Sequence, residues 1–164
     1  MRVLFSFVGG TGHAEPMVPV ARAVRRAGHE VAFAGNAAYL PSPAAHGFAT
    51  FPVAAGTGGQ PAPRQRQPLL EPDQGREDKA VREHFADRVP RARMARYLAL
   101  YRDWRPDLVV RDEMDFGAAV AAEVGDLPHA VVLVLAGGGW SGPVWSPSRW
   151  RRSGPSTGWR RIPG

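Results

Sequence analysis

The first fifteen residues, MRVLFSFVGGTGHAE, restrict the fold of this chain more than any other stretch. Arg2 to Val8 is rich in β-branched and aromatic residues and lacks the alternation of a half-exposed strand, as expected for a strand covered on both faces of a parallel sheet. It is expected to be the central strand. Gly9, Gly10 and Gly12 follow, allowing a sharp turn at the strand's end and close approach of a ligand to backbone amides. His13 stands just past that turn. Pro16 falls where a first helical turn tolerates proline, and Val18, Val20, Ala21, Ala23 and Val24 give one apolar side to a helix expected to reach about Ala27. Gly28 supplies its stop.

Strand, glycine turn and helix are common to many nucleotide and sugar binders, so the informative patterns are those this stretch fails. It has no Gly-Lys-Ser/Thr phosphate loop, and Glu15 occupies the place of the third glycine in G-x-G-x-x-G. The second expected strand, His29 to Gly35, ends in Gly35 and Asn36 with no acid for a ribose. An NAD(P) domain is therefore disfavoured.

At 164 residues the chain has room for one domain with a real core, or for one half of a two-domain enzyme. With no cysteine, disulfides, thiolate metal sites and cysteine nucleophiles are excluded together, and a cytoplasmic location is expected. No apolar run approaches the roughly 18 residues of a membrane span. The net charge of +6 invites a nucleic-acid reading, but Arg149, Arg151, Arg152, Arg160 and Arg161, with no acid among them, supply five of those six charges. The body is nearly neutral, so no specific nucleic-acid partner is expected.

Further along, Asn36 to Gly47 reads as a helical stretch broken by Pro41 and Pro43, and Phe48 to Val53 as a short edge strand ending near Pro52. Residues 54–75 turn to Gly, Pro, Gln and Arg and are expected to form a long mobile loop. From Arg76 to Trp104, Val81, Phe85, Val89, Ala92, Ala95, Leu98, Ala99 and Arg102 recur at helical spacing, with Pro90 kinking or dividing the helix and the arginines on a solvated face. Asp107 to Arg111 is a fourth strand, Phe116 to Val124 a helix, and Leu127 to Leu135 a fifth strand. Alternating strands and helices define an α/β doubly wound parallel sheet. Residues 136–164 abandon this pattern, with four of the five tryptophans and no period of 2 or 3.6, so the body is placed at 1–135 and an irregular tail at 136–164.

His13 and Asp112 are far apart in sequence, yet each follows a strand of the same parallel sheet, and open sheets bind ligands outside the strands' carboxyl ends. They can therefore meet. An imidazole takes a proton from a hydroxyl near neutral pH, and a carboxylate on its other nitrogen fixes the tautomer and stabilises the imidazolium. Other readings of the same residues are open: His13 as a loop residue capping the next helix, and Asp112 or Asp115 as the cap of the helix at Phe116. His29, His46, His84 and His129 lack ligand spacing, and no metal site is predicted.

The wording and order of MRVLFSFVGGTGHAEPMVPVARAVRRAGHEVAFAG resemble the amino-terminal domain of bacterial GT-B glycosyltransferases that decorate macrolides and related natural products. The resemblance implies a Rossmann-like sheet forming the amino-terminal half of a GT-B fold, with His13 in GGTGHAEP and Asp112 in VVRDEMDFGA as the catalytic pair. Gly9, Gly10 and Gly12 would form the acceptor-side cleft loop. It implies inverting transfer from an NDP-sugar to a hydroxyl of a hydrophobic small molecule. In such enzymes the donor is held chiefly by a carboxyl-terminal domain, so this chain alone is expected to bind no cofactor, to be inactive, and to need a separate donor domain. The alternative is a non-catalytic binding or auxiliary module of the same fold. Family members usually continue from the fifth strand with an R-x-E-x-G-L-like pattern that is missing here. One choice of synonymous codons, shifted by a base from Gly139, yields VVRPGLVAEPLAALRAEHGLAPDP, consistent with a frame change in the tail.

Overall fold

The computed structural model describes residues 1–55, 73–134, 150–152 and 159–161. Two compact units divide the chain, Met1–Val134 and Leu135–Gly164. In the first, β1 (Arg2–Ser6), β2 (Glu30–Asn36), β3 (Ala49–Ala54), β4 (Leu108–Asp112) and β5 (His129–Val132) form one parallel sheet in the order β3-β2-β1-β4-β5. The apolar opening run is indeed central, and Phe48 to Val53 indeed becomes an edge. β3 runs on through Pro52, which an edge strand tolerates because the missing N–H faces no partner.

Helices cover both faces, and the period-two alternation of β1 sorts its residues between them. Val3, Phe5 and Phe7 join Val31, Phe33, Met17, Val18 and Ala21 in a core under α1 (Thr11–Ala14), a 3-10 turn (Glu15–Met17) and α2 (Val18–Arg26). Phe5, Phe33 and Phe48 stack through it with ring centroids 5.3 and 5.1 Å apart, capped by the Arg25 guanidinium 4.4 Å from Phe48. Each fully buried Phe or Leu contributes about 1.5–3 kcal/mol. On the opposite face Leu4, Ala32, Ala34 and Val109 pack against Tyr97 and Tyr101 of α5 (Val89–Trp104) and Ala118, Ala121 and Ala122 of α6 (Phe116–Val124).

Several local expectations change. The first helix divides into α1, a 3-10 turn and α2, because Pro16 and Pro19 remove backbone donors and favour a new start. Of Asn36 to Gly47, only α3 (Pro41–Ala45) is α-helical. The later helix runs from α4 (Gln74–Lys79) through a π-helical segment, Ala80–Arg88, into α5, whose second residue is Pro90. Proline thus divides the helix as expected, and wider π hydrogen bonding precedes it. The buried stripe of α5 is Pro90, Arg93, Tyr97 and Tyr101, whereas Ala92, Ala95 and Arg102 are exposed. Expecting every arginine on the solvated face is therefore wrong for Arg93.

The expected mobile loop lies, for residues 56–72, outside the described residues. The expected irregular tail is also largely outside them, but within it β6 (Trp150–Arg152) and β7 (Trp159–Arg161) pair antiparallel. Three-residue strands are too short to show a period, which is why the sequence does not announce them. Among the described residues no helix is long and apolar enough to cross a membrane.

Candidate active site

β1 leads rightward to β4 and leftward to β2, so the sheet's switch point lies between β1 and β4, where open α/β sheets form their ligand crevice. His13 and Asp112 meet there. In the β1–β4 register Ser6 stands beside Arg111, so Asp112, the last residue of β4, lies one step beyond the end of β1. Alternation gives Arg111 the α5 face and places Asp112 on the face that carries α1.

Past β1 the chain turns at Gly9, with φ +98, and Gly10 caps the short helix that carries His13. His13 Nδ1 lies 3.0 Å from Asp112 Oδ2. The same carboxylate oxygen accepts from the Val8 N–H at 2.8 Å, and Oδ1 accepts from the Met114 N–H at 2.8 Å. With Asp112 wholly buried and held by donors, the geometry places the proton on His13 Nδ1 and leaves the Nε2 lone pair without a protein partner among the described residues. The imidazole keeps 18% of its side-chain surface exposed.

The three glycines are not equivalent. A Cβ on Gly9 would lie 2.8 Å from His13 Cδ2 in addition to the positive φ, whereas one on Gly10 meets only Tyr39 at 3.8 Å and one on Gly12 meets nothing within 4 Å. Gly9 makes room for the imidazole. Gly12 faces open space.

The hydrogen bond to Asp112 raises the His13 pKa above its ordinary 6.5, against an opposing effect of burial, with the Asp112 and Glu113 charges adding to the rise. A group raised in the folded state stabilises fully below its unfolded pKa, and that stabilisation is lost as pH rises through the folded value. The urea midpoint is therefore expected to fall as pH rises from about 6.5 through the raised folded value of His13, and His13→Ala should remove the His13 share of that slope. Superimposable pH–stability curves for the two proteins would show that the pair does not form in solution.

Asp115, three residues on, is the helix cap: its Oδ1 accepts from the Ala118 N–H at 3.1 Å. Of the two carboxylates, Asp115 caps the helix and Asp112 contacts His13. Asp115 Oδ2 also accepts from the buried Tyr97 hydroxyl at 2.5 Å. Burial is the main cause that pushes the Asp115 carboxyl and the Tyr97 phenol up, and the nearby Asp112 charge adds to the rise at Asp115. Glu113 Oε2 accepts from the Val134 N–H at 2.9 Å, and Arg111 donates to the Asp112 and Glu113 carbonyls at 3.1 and 3.4 Å, which fixes the loop after β4. Val8 and Met114 are not singled out by the sequence, because they act through backbone amides, which any residue type supplies.

The other histidines lie apart from the pair: His46 contacts Glu15 at 3.2 Å and Arg22 at 2.9 Å, and His129 contacts Glu123 at 2.9 Å. Among the described residues no group of three or more His, Cys, Asp or Glu is placed to hold a metal ion.

This sheet order with its flanking helices is the amino-terminal half of a GT-B fold. The glycosyltransferase SnogD from Streptomyces nogalater matches with a TM-score of 0.62 and 31% identity, over 82% of this chain and 34% of that one. The glycosyltransferase VinC, in complex with DTDP, matches with a TM-score of 0.62 and 27% identity, over 85% and 36%. The chain belongs to the family described as "Erythromycin biosynthesis protein CIII-like, N-terminal domain", which matches residues 22–142. Among curated relatives, tylactone mycaminosyltransferase of Streptomyces fradiae is 32% identical over 152 residues, 81% of this chain and 34% of its own length. The 3-alpha-mycarosylerythronolide B desosaminyl transferase of Saccharopolyspora erythraea is 28% identical over 156 residues, 81% and 36% respectively. The chain therefore spans about a third of the length of the relatives it matches.

Proposed function

We propose that this chain is the acceptor-side domain of an inverting transferase that moves a sugar from an NDP-sugar to a hydroxyl of a hydrophobic natural product. One observation supports the reading: Asp112 engages His13 Nδ1 at the sheet's switch point, which leaves Nε2 as the ring's proton acceptor. The acceptor hydroxyl gives its proton to Nε2 while its oxygen bonds to the anomeric carbon. The bond from that carbon to the diphosphate breaks on the opposite face, and the nucleoside diphosphate leaves with the electron pair. Asp112 stabilises the imidazolium that results. Gly9, Gly10 and Gly12 line the acceptor side, and Gly12, with open space above it, lets a ligand approach α1.

The donor is assigned to a carboxyl-terminal domain, for which the matched relatives' greater length leaves room. The 164-residue chain by itself is then expected to transfer no sugar and to bind an apolar acceptor only weakly, because positioning and charge stabilisation of the departing diphosphate are supplied elsewhere. Calorimetric titration with DTDP and with a macrolide aglycone separates these statements. Micromolar binding of DTDP by this chain would overturn the division of labour. The alternative, a non-catalytic auxiliary module, gains if the chain instead binds and stabilises a complete transferase without His13.

A further inference from the structure

Close to the pair lies a buried charge with no part in the proton transfer above. Arg93 of α5 is 7% exposed, and its Nη1 donates to the Phe7 carbonyl at 3.3 Å. That carbonyl belongs to the same peptide group as the Val8 N–H, which donates to Asp112 Oδ2 at 2.8 Å. A trans peptide is planar and holds its C=O and N–H antiparallel, so one rigid unit meets Arg93 at one end and Asp112 at the other. The unit lies beyond Ser6, where the β1 ladder ends, and just before the turn at Gly9. Among the described residues, Arg93 and Asp112 are the hydrogen-bond partners of its two polar groups.

We propose that Arg93 is a positioning residue for the His13–Asp112 pair: its guanidinium fixes the Phe7–Val8 peptide, whose N–H holds Asp112 Oδ2 against His13 Nδ1. A donor on the carbonyl also polarises the peptide and strengthens the N–H bond to the carboxylate. Asp115 and Tyr97 pack in the same region, and Arg93 opposes the Asp115 charge there. Charge balance for Asp115 is the role a purely structural arginine would have. The proposal deepens the catalytic reading of the pair and rests on it.

The two roles predict opposite signs. Removing a nearby cation by itself makes an imidazole more basic, whereas releasing Asp112 returns His13 toward its ordinary 6.5. An NMR titration of the His13 ring in the full 164-residue chain reads the sign directly. Arg93→Met is expected to lower the His13 pKa by about half a unit or more and to speed Val8 amide exchange about tenfold or more. Arg93→Lys, which keeps a donor and the charge, should restore both. A His13 pKa that stays or rises in Arg93→Met overturns the proposal. If that variant fails to fold, Arg93→Leu, which likewise removes the donor and the charge, is judged by the same sign. A Val8 amide that exchanges unprotected in the unmutated chain overturns it with no variant at all. None of these readouts measures sugar transfer, so a transferase indifferent to His13 would remove the catalytic reading and leave this result standing.

Discussion

His13→Ala, in a chimera joining this chain to the carboxyl-terminal part of tylactone mycaminosyltransferase, is expected to lower turnover about 10²- to 10⁴-fold with the donor KM nearly unchanged. The size follows from losing the group proposed to accept the hydroxyl proton. The insensitivity of the donor KM follows from placing the donor on the other domain. Asp112→Asn should cost less, because the shape persists while stabilisation of the imidazolium is lost. The amide also offers one acceptor oxygen where the carboxylate offers two, so one of the Val8 and Met114 N–H groups, which bond Oδ2 and Oδ1 in the unmutated chain, loses its acceptor. Equal turnover of the chimera with and without His13 would reduce this residue to a helix element and withdraw the site assignment.

What the sequence discloses of this fold depends on whether a residue's role is carried by its polarity. Arg2 to Val8 and His29 to Gly35 read as buried strands because strands covered on both faces are apolar throughout, and the sheet places them at its centre. His13 and Asp112 are legible together because parallel strands present all their carboxyl ends to one edge. The choice between Asp112 and Asp115 is not legible in the same way. It depends on which residue ends β4 in register with β1, and alternation then gives Asp112 to the α1 face. The stripe of α5 misleads for a related reason. Its buried positions are filled by Arg93, Tyr97 and Tyr101, whose polar ends find partners in Phe7, Asp115 and Ala118. An apolar count therefore selects the exposed alanines instead. Residues whose burial is made tolerable by a specific hydrogen bond leave no periodic trace, and here they cluster next to the candidate site.

Gly9→Ala is the backbone counterpart of the histidine substitution and is expected to damage the same proposed chemistry without removing a polar atom. At φ +98 an alanine is strained, costing about 1–2 kcal/mol of stability. Its Cβ would in addition lie 2.8 Å from His13 Cδ2 and 2.9 Å from Nε2. The imidazole is the movable partner in that clash, so it swings away and its Nδ1 leaves Asp112. Three readouts should move together: a lower urea midpoint, a His13 pKa falling toward 6.5, and a loss of chimera turnover approaching that of His13→Ala. Gly12→Ala provides the contrast. It sits in α1 with nothing within 4 Å of its Cβ, and alanine is worth up to about 1 kcal/mol over glycine in a helix interior. Its stability and His13 pKa should therefore hold or improve, while a methyl group in the open space raises the acceptor KM. A Gly9→Ala protein with an unmoved His13 pKa would mean that the turn relaxes instead of the ring, and that Gly9 shapes the backbone alone.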